Sequence, residues 1–461
     1  MNAGETFASA ARVAAWRRLC KPRLASAPAG EEADPGRLDP ADRREQAQAS
    51  RLVRGVLRNL SLLDAGLERL GLFDPRKTPP PLLWVLRLAA YERIFQAQAP
   101  DYAIGAQAVE LGRLAGGDKA ARFVNAILRR LLPSLPGSPE ALGADSFFRD
   151  LPLARRTSVP EDIYDALGQG YHGLQLEALF QALAEEEAPV WLRVNTLQTT
   201  PQRLRDELAA AGCLVEPFDP APGGEALRWV GGALPWATQP WRRGELTVQD
   251  LGAMAAAWLL APEPGQAVLD LCAAPGGKTG HLWETMQAQG RLVALERDLG
   301  RRAELREAMA RLYGSDHRIE IPDAGPEAYP PAADFDRVLL DAPCQAFGLI
   351  RRHPEIRWDR RIRYQDRMQA AQRALLESGA RFVKPGGRLL WVTCSPTLAE
   401  NEAVVNLWLA RSPGWRIVDP RPLLPPRLWP LLQCDAGALR TRPDRLACDG
   451  FAMILLERLG G

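Results

Sequence analysis

Apolar residues between 49 and 73 recur at three- and four-residue steps: Leu52, Val53, Val56, Leu57, Leu60, Leu63 and Leu67. That period places them on one face of a helix. The run "PPPLLWVLRLAAYERIF" (79–95) predicts another helix, opening on prolines that suit a helix start. "AIGAQAVELGRLAGGDKAARFVNAILRRLL" (103–132) predicts two more, divided at Gly116-Gly117. Residues 39–135 therefore read as an all-helical domain. A leader, 1–38, precedes it and is expected to be poorly ordered apart from one short helix over 5–19. The Pro/Gly/Ser-rich stretch 133–146 reads as a linker.

The period then changes. "PVWLRVNTL" (189–197) reads as a strand, and "TPQRLRDELAAAGC" (200–213) as a helix capped by Thr200. "LRWVGG" (227–232) and "LTVQD" (246–250) read as short strands, so residues 147–245 form a small α+β module. From 246 onward strands and helices alternate. Strands are predicted at 267–272, 291–296, 318–323, 336–343, 387–395 and 450–458, with helices such as 299–313 and 364–383 between them. Such alternation is the signature of a doubly wound parallel sheet. Residues 246–461 are accordingly read as a Rossmann-like α/β domain, and the whole chain as multidomain.

Composition narrows the function classes. Hydrophobic residues make up 46% and charged residues 25%, the profile of a globular protein with room for a large core. The net charge of +2 supplies no global basic field, although only five of the 58 basic residues are Lys. Arg suits phosphate contacts through its planar fork of donors, and GC-rich coding accounts for the same bias. The seven cysteines contain no C-x-x-C, so neither a disulfide framework nor a metal site is expected. No apolar run approaches the roughly 18 residues of a membrane span. The N-terminus lacks the apolar core of a secretory signal. The expectation is a cytoplasmic monomer.

The segment "DLCAAPGGKTG" (270–280) carries the first chemistry. It is a near miss for a triphosphate loop, with Cys272 where the first Gly belongs, and "RVLLDAP" (337–343) supplies a Walker-B-like strand ending in Asp341. An ATPase is thus one reading. The loss of that Gly weakens it, because the backbone must wrap phosphates closely. Asp270 at the strand end repels a triphosphate and attracts the cationic S-adenosylmethionine. Glu296 ends the second strand, where a carboxylate can accept both ribose hydroxyls. The loop is better read as the glycine turn of a methyltransferase.

"DAPCQAFG" (341–348) and "TCSP" (393–396) each place a Cys just past a predicted strand. Ligands in open α/β sheets bind outside the carboxyl ends of strands, so Cys344 and Cys394 point to the crevice of the glycine turn. Two thiols have a chemical rationale. Carbon 5 of a pyrimidine is a poor nucleophile until a thiolate adds to carbon 6; one thiol attacks and the other helps release, which splits one hard step into easier ones.

"LDLCAAPGGKT", "LLDAPC", "RRHPEIRW" and "TCS…ENE", in this order, resemble the bacterial ribosomal RNA (cytosine-5)-methyltransferases of the Sun/Fmu type. The resemblance runs from about residue 40 to the end of the chain and includes "WLRVN" (191–195), "LTVQD" (246–250) and "DGF" (449–451). It implies an N-terminal RNA-binding domain similar to the antitermination factor NusB. It also implies an RNA-binding α+β module, a class I methyltransferase domain, S-adenosylmethionine as cofactor, and small-subunit (16S) ribosomal RNA as partner. By the same resemblance Cys394 matches the nucleophile and Cys344 the residue assisting release. Cofactor contacts match Cys272, Ala273, Ala274, Pro275, Gly276, Gly277 and Lys278, with Glu296 on the ribose, Asp323 near the adenine and Asp341 near the methionine amine and the base.

The chain departs from the family pattern at Gln345 and Phe347, where Ser and Thr are usual, and at Glu296, where Asp is usual. Every reacting group is retained. "RRHPEIRWDRRIRYQDR" (351–367) carries seven Arg interleaved with Trp358 and Tyr364, and is expected to form a phosphate track with surfaces for unstacked bases. His353 reads as structural, and His172, His281 and His317 form no consistent cluster. Three further readings compete: a transfer-RNA methyltransferase, a non-catalytic assembly factor motivated by positions 345 and 347, and the ATPase.

Overall fold

The computed structural model describes residues 8–21, 40–71, 74–96, 99–171, 176–184, 188–330, 334–359 and 365–460. Residues 1–7 and 22–38 of the leader, His172, and residues 360–364, Tyr364 among them, lie outside that set. The chain divides into two compact units: Met1–Tyr164 with Leu183–Glu186 and His353–Arg360, and the remainder.

The first unit is helical. Its main helices are α1 (Ala10–Leu19), α2 (Pro40–Arg58), α3 (Leu60–Glu68), α4 (Pro80–Phe95) and α5 (Asp101–Ser134). All seven apolar residues of the predicted 52–67 stripe are buried. The short helix expected within the leader is present as α1, Ala10–Leu19. Ser9 caps α1 by accepting the N–H of Arg12, and Ala11, Ala15 and Leu19 repeat every fourth residue on a buried face. Arg12 pairs with the buried Glu92 of α4 at 2.6 Å. The helix α5 breaks its regular backbone at Gly116 and Gly117; the latter has φ +71°, which glycine adopts without strain. The stretch read as a linker carries the end of α5 and a Ser138-capped helix, Pro139–Ala144.

The second unit contains two sheets. Strands β1 (Val190–Val194), β2 (Cys213–Pro217), β3 (Ala226–Gly232) and β4 (Leu246–Val248) form an antiparallel sheet of order β2-β3-β1-β4. The helix Pro201–Ala210, capped by Thr200 as expected, packs Leu204 and Leu208 into this module's core.

The larger sheet holds β5 (Ala267–Asp270), β6 (Arg291–Ala294), β7 (Phe335–Asp341), β8 (Val383–Thr393), β9 (Trp415–Ile417), β10 (Leu432–Asp435), β11 (Ala438–Thr441) and β12 (Ala452–Arg458). Its order is β10-β11-β12-β8-β7-β5-β6, with β9 beside β12. Four strands, β5 to β8, run parallel; β12 joins β8 antiparallel and carries the antiparallel β9 and β11. The sheet is therefore mixed rather than wholly parallel. The strand predicted at 318–323 is reduced to a single bridge between Val293 and Glu320. Beside this sheet, every residue of the helix Leu251–Leu260 is buried, as an all-apolar helix requires. The order places the carboxyl ends of β5, β6, β7 and β8 side by side.

Candidate active site

β5 ends at Asp270, and the glycine turn leads into the helix Gly277–Thr285. Asp270 is buried; its Oδ2 accepts the Thr279 hydroxyl at 2.7 Å, while Oδ1 has no hydrogen-bond partner. Burial pushes this carboxyl up to about 7. Gly276 sits at φ +107°, and a Cβ there would lie 2.8 Å from Met309 and 2.9 Å from Leu305, so glycine alone fits. Arg301 holds the turn from outside by donating to the Ala274 carbonyl at 2.7 Å.

A cavity of about 480 Å³ opens at these strand ends, with Cys272, Glu296, Asp341, Cys344 and Cys394 in its wall. Glu296 Oε1 accepts the Asp298 N–H at 3.0 Å, and its buried Oε2 accepts no hydrogen bond. The Cys272 thiol is pushed up by burial and by the acids around it. Lys278 donates to Asp341 Oδ2 at 2.7 Å, and its Nζ stands 5.2 Å from the centre of the Phe451 ring. Burial alone would lower the Lys278 pKa, but the charge of Asp341 outweighs it and the pKa rises.

Adjacent parallel strands β7 and β8 deliver the two thiols. Asp341 pairs with Val392 in register, and Cys344 Sγ and Cys394 Sγ meet at 3.2 Å. The hydrogen bond with Cys394 and burial push the Cys344 thiol well above its ordinary value. The Gly348 N–H donates to the Cys394 carbonyl at 2.9 Å, and the Gly450 N–H donates to the Gly348 carbonyl at 2.9 Å. Three segments are thus joined backbone to backbone beside the sulfurs.

Of the ten cofactor residues expected from sequence, Cys272, Glu296 and Asp341 line the cavity and Lys278 reaches it through Asp341. Residues 273–277 form the turn behind the wall. Asp323 stands apart: it is exposed and paired with Arg306 at 2.8 Å and Arg302 at 3.4 Å. Phe347 and Gln345 are both buried, so these two departures from the family pattern fall in packing, whereas the third, Glu296, lies in the cavity wall.

The expected phosphate track is overturned where it is described. Arg351 and Arg357 are buried. Arg357 donates to the carbonyls of Arg58, Thr157, Ser158 and Leu183 within the helical unit. Trp358 donates to the Leu57 carbonyl at 2.7 Å, and Arg352 pairs with Asp449 at 3.0 Å and Asp250 at 3.4 Å. These cations satisfy internal acceptors, and an Arg-rich stretch does not disclose that in sequence.

Sequence reasoning also passed over Arg193, quoted only within "WLRVN". It is fully buried and forms a two-toothed pair with Glu284, both contacts at 2.9 Å, while donating to the Gly277 carbonyl at 2.6 Å. No local pattern marks it; a charge inside an alternating strand is its one signal.

An α/β sheet with a glycine turn after its first strand and acids at the next strand ends defines an S-adenosylmethionine-dependent methyltransferase. Comparison with known proteins agrees. The 16S rRNA methyltransferase RsmB/F model matches residues 257–454, the NusB family model 13–133, and an RsmF/B-like ferredoxin-like domain 160–228. Ribosomal RNA small subunit methyltransferase B of Vibrio cholerae is 31% identical over 90% of this chain and 90% of its own. That of Xanthomonas campestris is 33% identical over 92% and 90%. The crystal structure of PH0851 superposes with a TM-score of 0.72 at 26% identity, covering 91% of this chain and 95% of that one. The chain belongs to the RsmB/F family of RNA methyltransferases, and its methyl donor is S-adenosylmethionine.

The cavity suits that donor. Its volume is ample for a nucleoside-sized ligand. Glu296 Oε2 accepts no hydrogen bond and lies 3.5 Å from Arg301, so it is an acceptor for ribose hydroxyls, and the carboxylates of Glu296 and Asp341 in the wall favour a ligand carrying sulfonium and ammonium charge. Among the described residues no helix is long and apolar enough to cross a membrane.

Proposed function

We propose that this protein methylates carbon 5 of a cytosine in small-subunit ribosomal RNA through a covalent adduct on Cys394. The observation that carries this reading is the pair of sulfurs 3.2 Å apart in the wall of the cofactor cavity. Cys394 adds as thiolate to carbon 6, and the displaced electron pair makes carbon 5 nucleophilic. Bound S-adenosylmethionine supplies the electrophilic methyl group that carbon 5 takes. The carbon 5 proton then leaves, the ring double bond re-forms, and the Cys394 sulfur is expelled. Cys344 stands beside the departing sulfur and assists this release. Glu296 holds the ribose, Asp341 orients the methionine end and the base, and the 272–278 turn with Lys278 shapes the floor. The target base must leave its stack to reach the thiols. The helical domain (39–135) and the α+β module (147–245) bind the RNA around it, and the protein acts in the cytoplasm as a monomer.

Mapping 5-methylcytosine by bisulfite sequencing, with and without the gene, tests the reading. One small-subunit cytosine should lose its methyl group; a loss confined to transfer RNA would redirect it. Cys394→Ala should abolish transfer, and Cys344→Ala should accumulate a covalent RNA adduct. Full transfer by Cys394→Ala would sink the mechanism.

A further inference from the structure

Glu400, Asn401 and Glu402 follow the Cys394 loop, and none of them lines the cavity. Glu400 and Asn401 are fully buried. Glu400 Oε1 accepts the Gln345 N–H at 3.0 Å and the Gln372 side-chain N–H at 3.1 Å. The same Gln372 amide donates to the Pro343 carbonyl at 3.0 Å. The backbone on either side of Cys344 is therefore held by two buried side chains that themselves touch.

Asn401 does the equivalent for the other thiol. Its Nδ2 donates to the carbonyls of Ser395 and Thr397, both at 2.7 Å, and its Oδ1 accepts the Thr393 hydroxyl at 2.9 Å and the Trp391 indole at 3.1 Å. Residues 393 and 395, flanking Cys394, are thus fixed from one amide. Glu402 extends the arrangement by pairing with the buried Arg440 at 2.6 Å, which donates to the Pro396 carbonyl at 2.9 Å. Each side chain suits its partners, since two backbone or amide donors meet a carboxylate, and mixed donors and acceptors meet a carboxamide. Burial pushes the Glu400 carboxyl up against the hydrogen bonds it accepts, and its charge adds to the effects that push the Cys344 thiol up.

We propose that Glu400 and Asn401 are positioning residues, Glu400 with Gln372 setting Cys344 and Asn401 setting Cys394. This rests on the covalent reading above, and it assigns the two neighbours opposite failures. Displacing a reacting group by about 1 Å costs about a hundredfold in rate.

The test uses the full chain, S-adenosylmethionine, and small-subunit RNA from cells lacking the gene. Glu400→Ala should transfer the methyl group in a single turnover and then release RNA about a hundredfold more slowly, trapping a denaturant-resistant protein–RNA adduct. Asn401→Ala should lose transfer itself about a hundredfold and trap nothing. Glu400→Gln keeps the accepting oxygen and should restore release to within about threefold of wild type. Cofactor affinity should stay within about twofold throughout, the sign of an intact domain. If Glu400→Ala fails to bind cofactor, Gln372→Ala, which frees the Pro343 side, should trap the adduct in its place. Wild-type release by a cofactor-binding Glu400→Ala, or the same adduct from both Glu400→Ala and Asn401→Ala, overturns the proposal. Absence of an adduct from Cys344→Ala in the same assay sinks the covalent reading instead, so the two failures are distinct.

Discussion

Replacing Arg193 by Leu isolates one buried ion pair and its effect on the glycine turn. Arg193 lies on β1 with no exposed surface, and both its Nε and one terminal nitrogen meet Glu284 at 2.9 Å. It also bonds the Gln249 side-chain oxygen and, at 2.6 Å, the carbonyl of Gly277, where the turn enters the helix Gly277–Thr285. Burial alone would lower the Arg193 pKa, but the Glu284 charge outweighs it and the pKa rises. Removing one partner of such a pair costs about 3–5 kcal/mol, because the survivor stays charged and buried. In Arg193→Leu, Glu284 keeps the Tyr313 hydroxyl at 2.7 Å. At about 2–4 °C per kcal/mol the melting temperature should fall by about 6–20 °C. Arg193→Leu/Glu284→Leu removes both charges and should lie within about 2 kcal/mol of wild type, more stable than either single variant. Urea unfolding of the four proteins gives the coupling energy, expected to be at least about 3 kcal/mol. Calorimetry with S-adenosylmethionine should show affinity reduced about tenfold whenever Arg193 is absent, since the Gly277 carbonyl then loses a charged hydrogen bond. Strictly additive losses in the double variant would refute the coupling.

Gly348→Ala puts a Cβ 1.8 Å from the Gly450 carbonyl oxygen and 2.8 Å from that of Cys394, so the loops must part. Thermal melts should show a loss of about 3 kcal/mol, and labelled methyl transfer should fall about a hundredfold. Asp270→Asn tests the raised carboxyl. The folded pKa of about 7 lies above the ordinary 3.8, so the stability Asp270 contributes is present at low pH and is lost as pH rises through 7. The advantage of Asp270→Asn over wild type, measured by urea unfolding without ligand, should grow by about 2 kcal/mol between about pH 5.5 and 8. Arg357→Met strips donors from the carbonyls of Arg58, Thr157, Ser158 and Leu183 and should cost the helical unit about 2–4 kcal/mol. The salt dependence of RNA binding should not change, whereas loss of a phosphate contact would reduce it.

What the sequence disclosed follows the range of its signals. Asp270, Glu296 and Asp341 could be placed together because residues ending parallel strands share one edge of a sheet. The helix Leu299–Tyr313 was legible to the residue, since Asp298 caps it and Gly314 follows it. The antiparallel strands β9, β10 and β11 were not, because each spans three or four residues and "PRPLLPPRLWPLL" (420–432) breaks any alternation between them. The helix Leu251–Leu260 is apolar on every side and so has no period to read. Arg351, Arg352 and Arg357 misled for a different reason: sequence records charge, while a phosphate track requires exposure. Glu400 and Asn401 act through backbone groups of loops distant in sequence or folded back on themselves, a relation that spacing does not encode.

The same contrast bears on why two chemically identical side chains can hold different roles. Two thiols 3.2 Å apart cannot both ionise without strong mutual repulsion, so at most one is a thiolate at a time. The asymmetry lies in their surroundings. Cys344 is hydrogen-bonded to Cys394, is buried, and feels the charge of Glu400; all three effects push its thiol up. On the covalent reading this is what catalysis needs of Cys344: the thiol that assists release keeps its proton until the adduct has formed. What distinguishes two identical side chains, on that reading, is what surrounds them: Glu400 and Gln372 at the backbone beside Cys344, and Asn401 at the residues flanking Cys394.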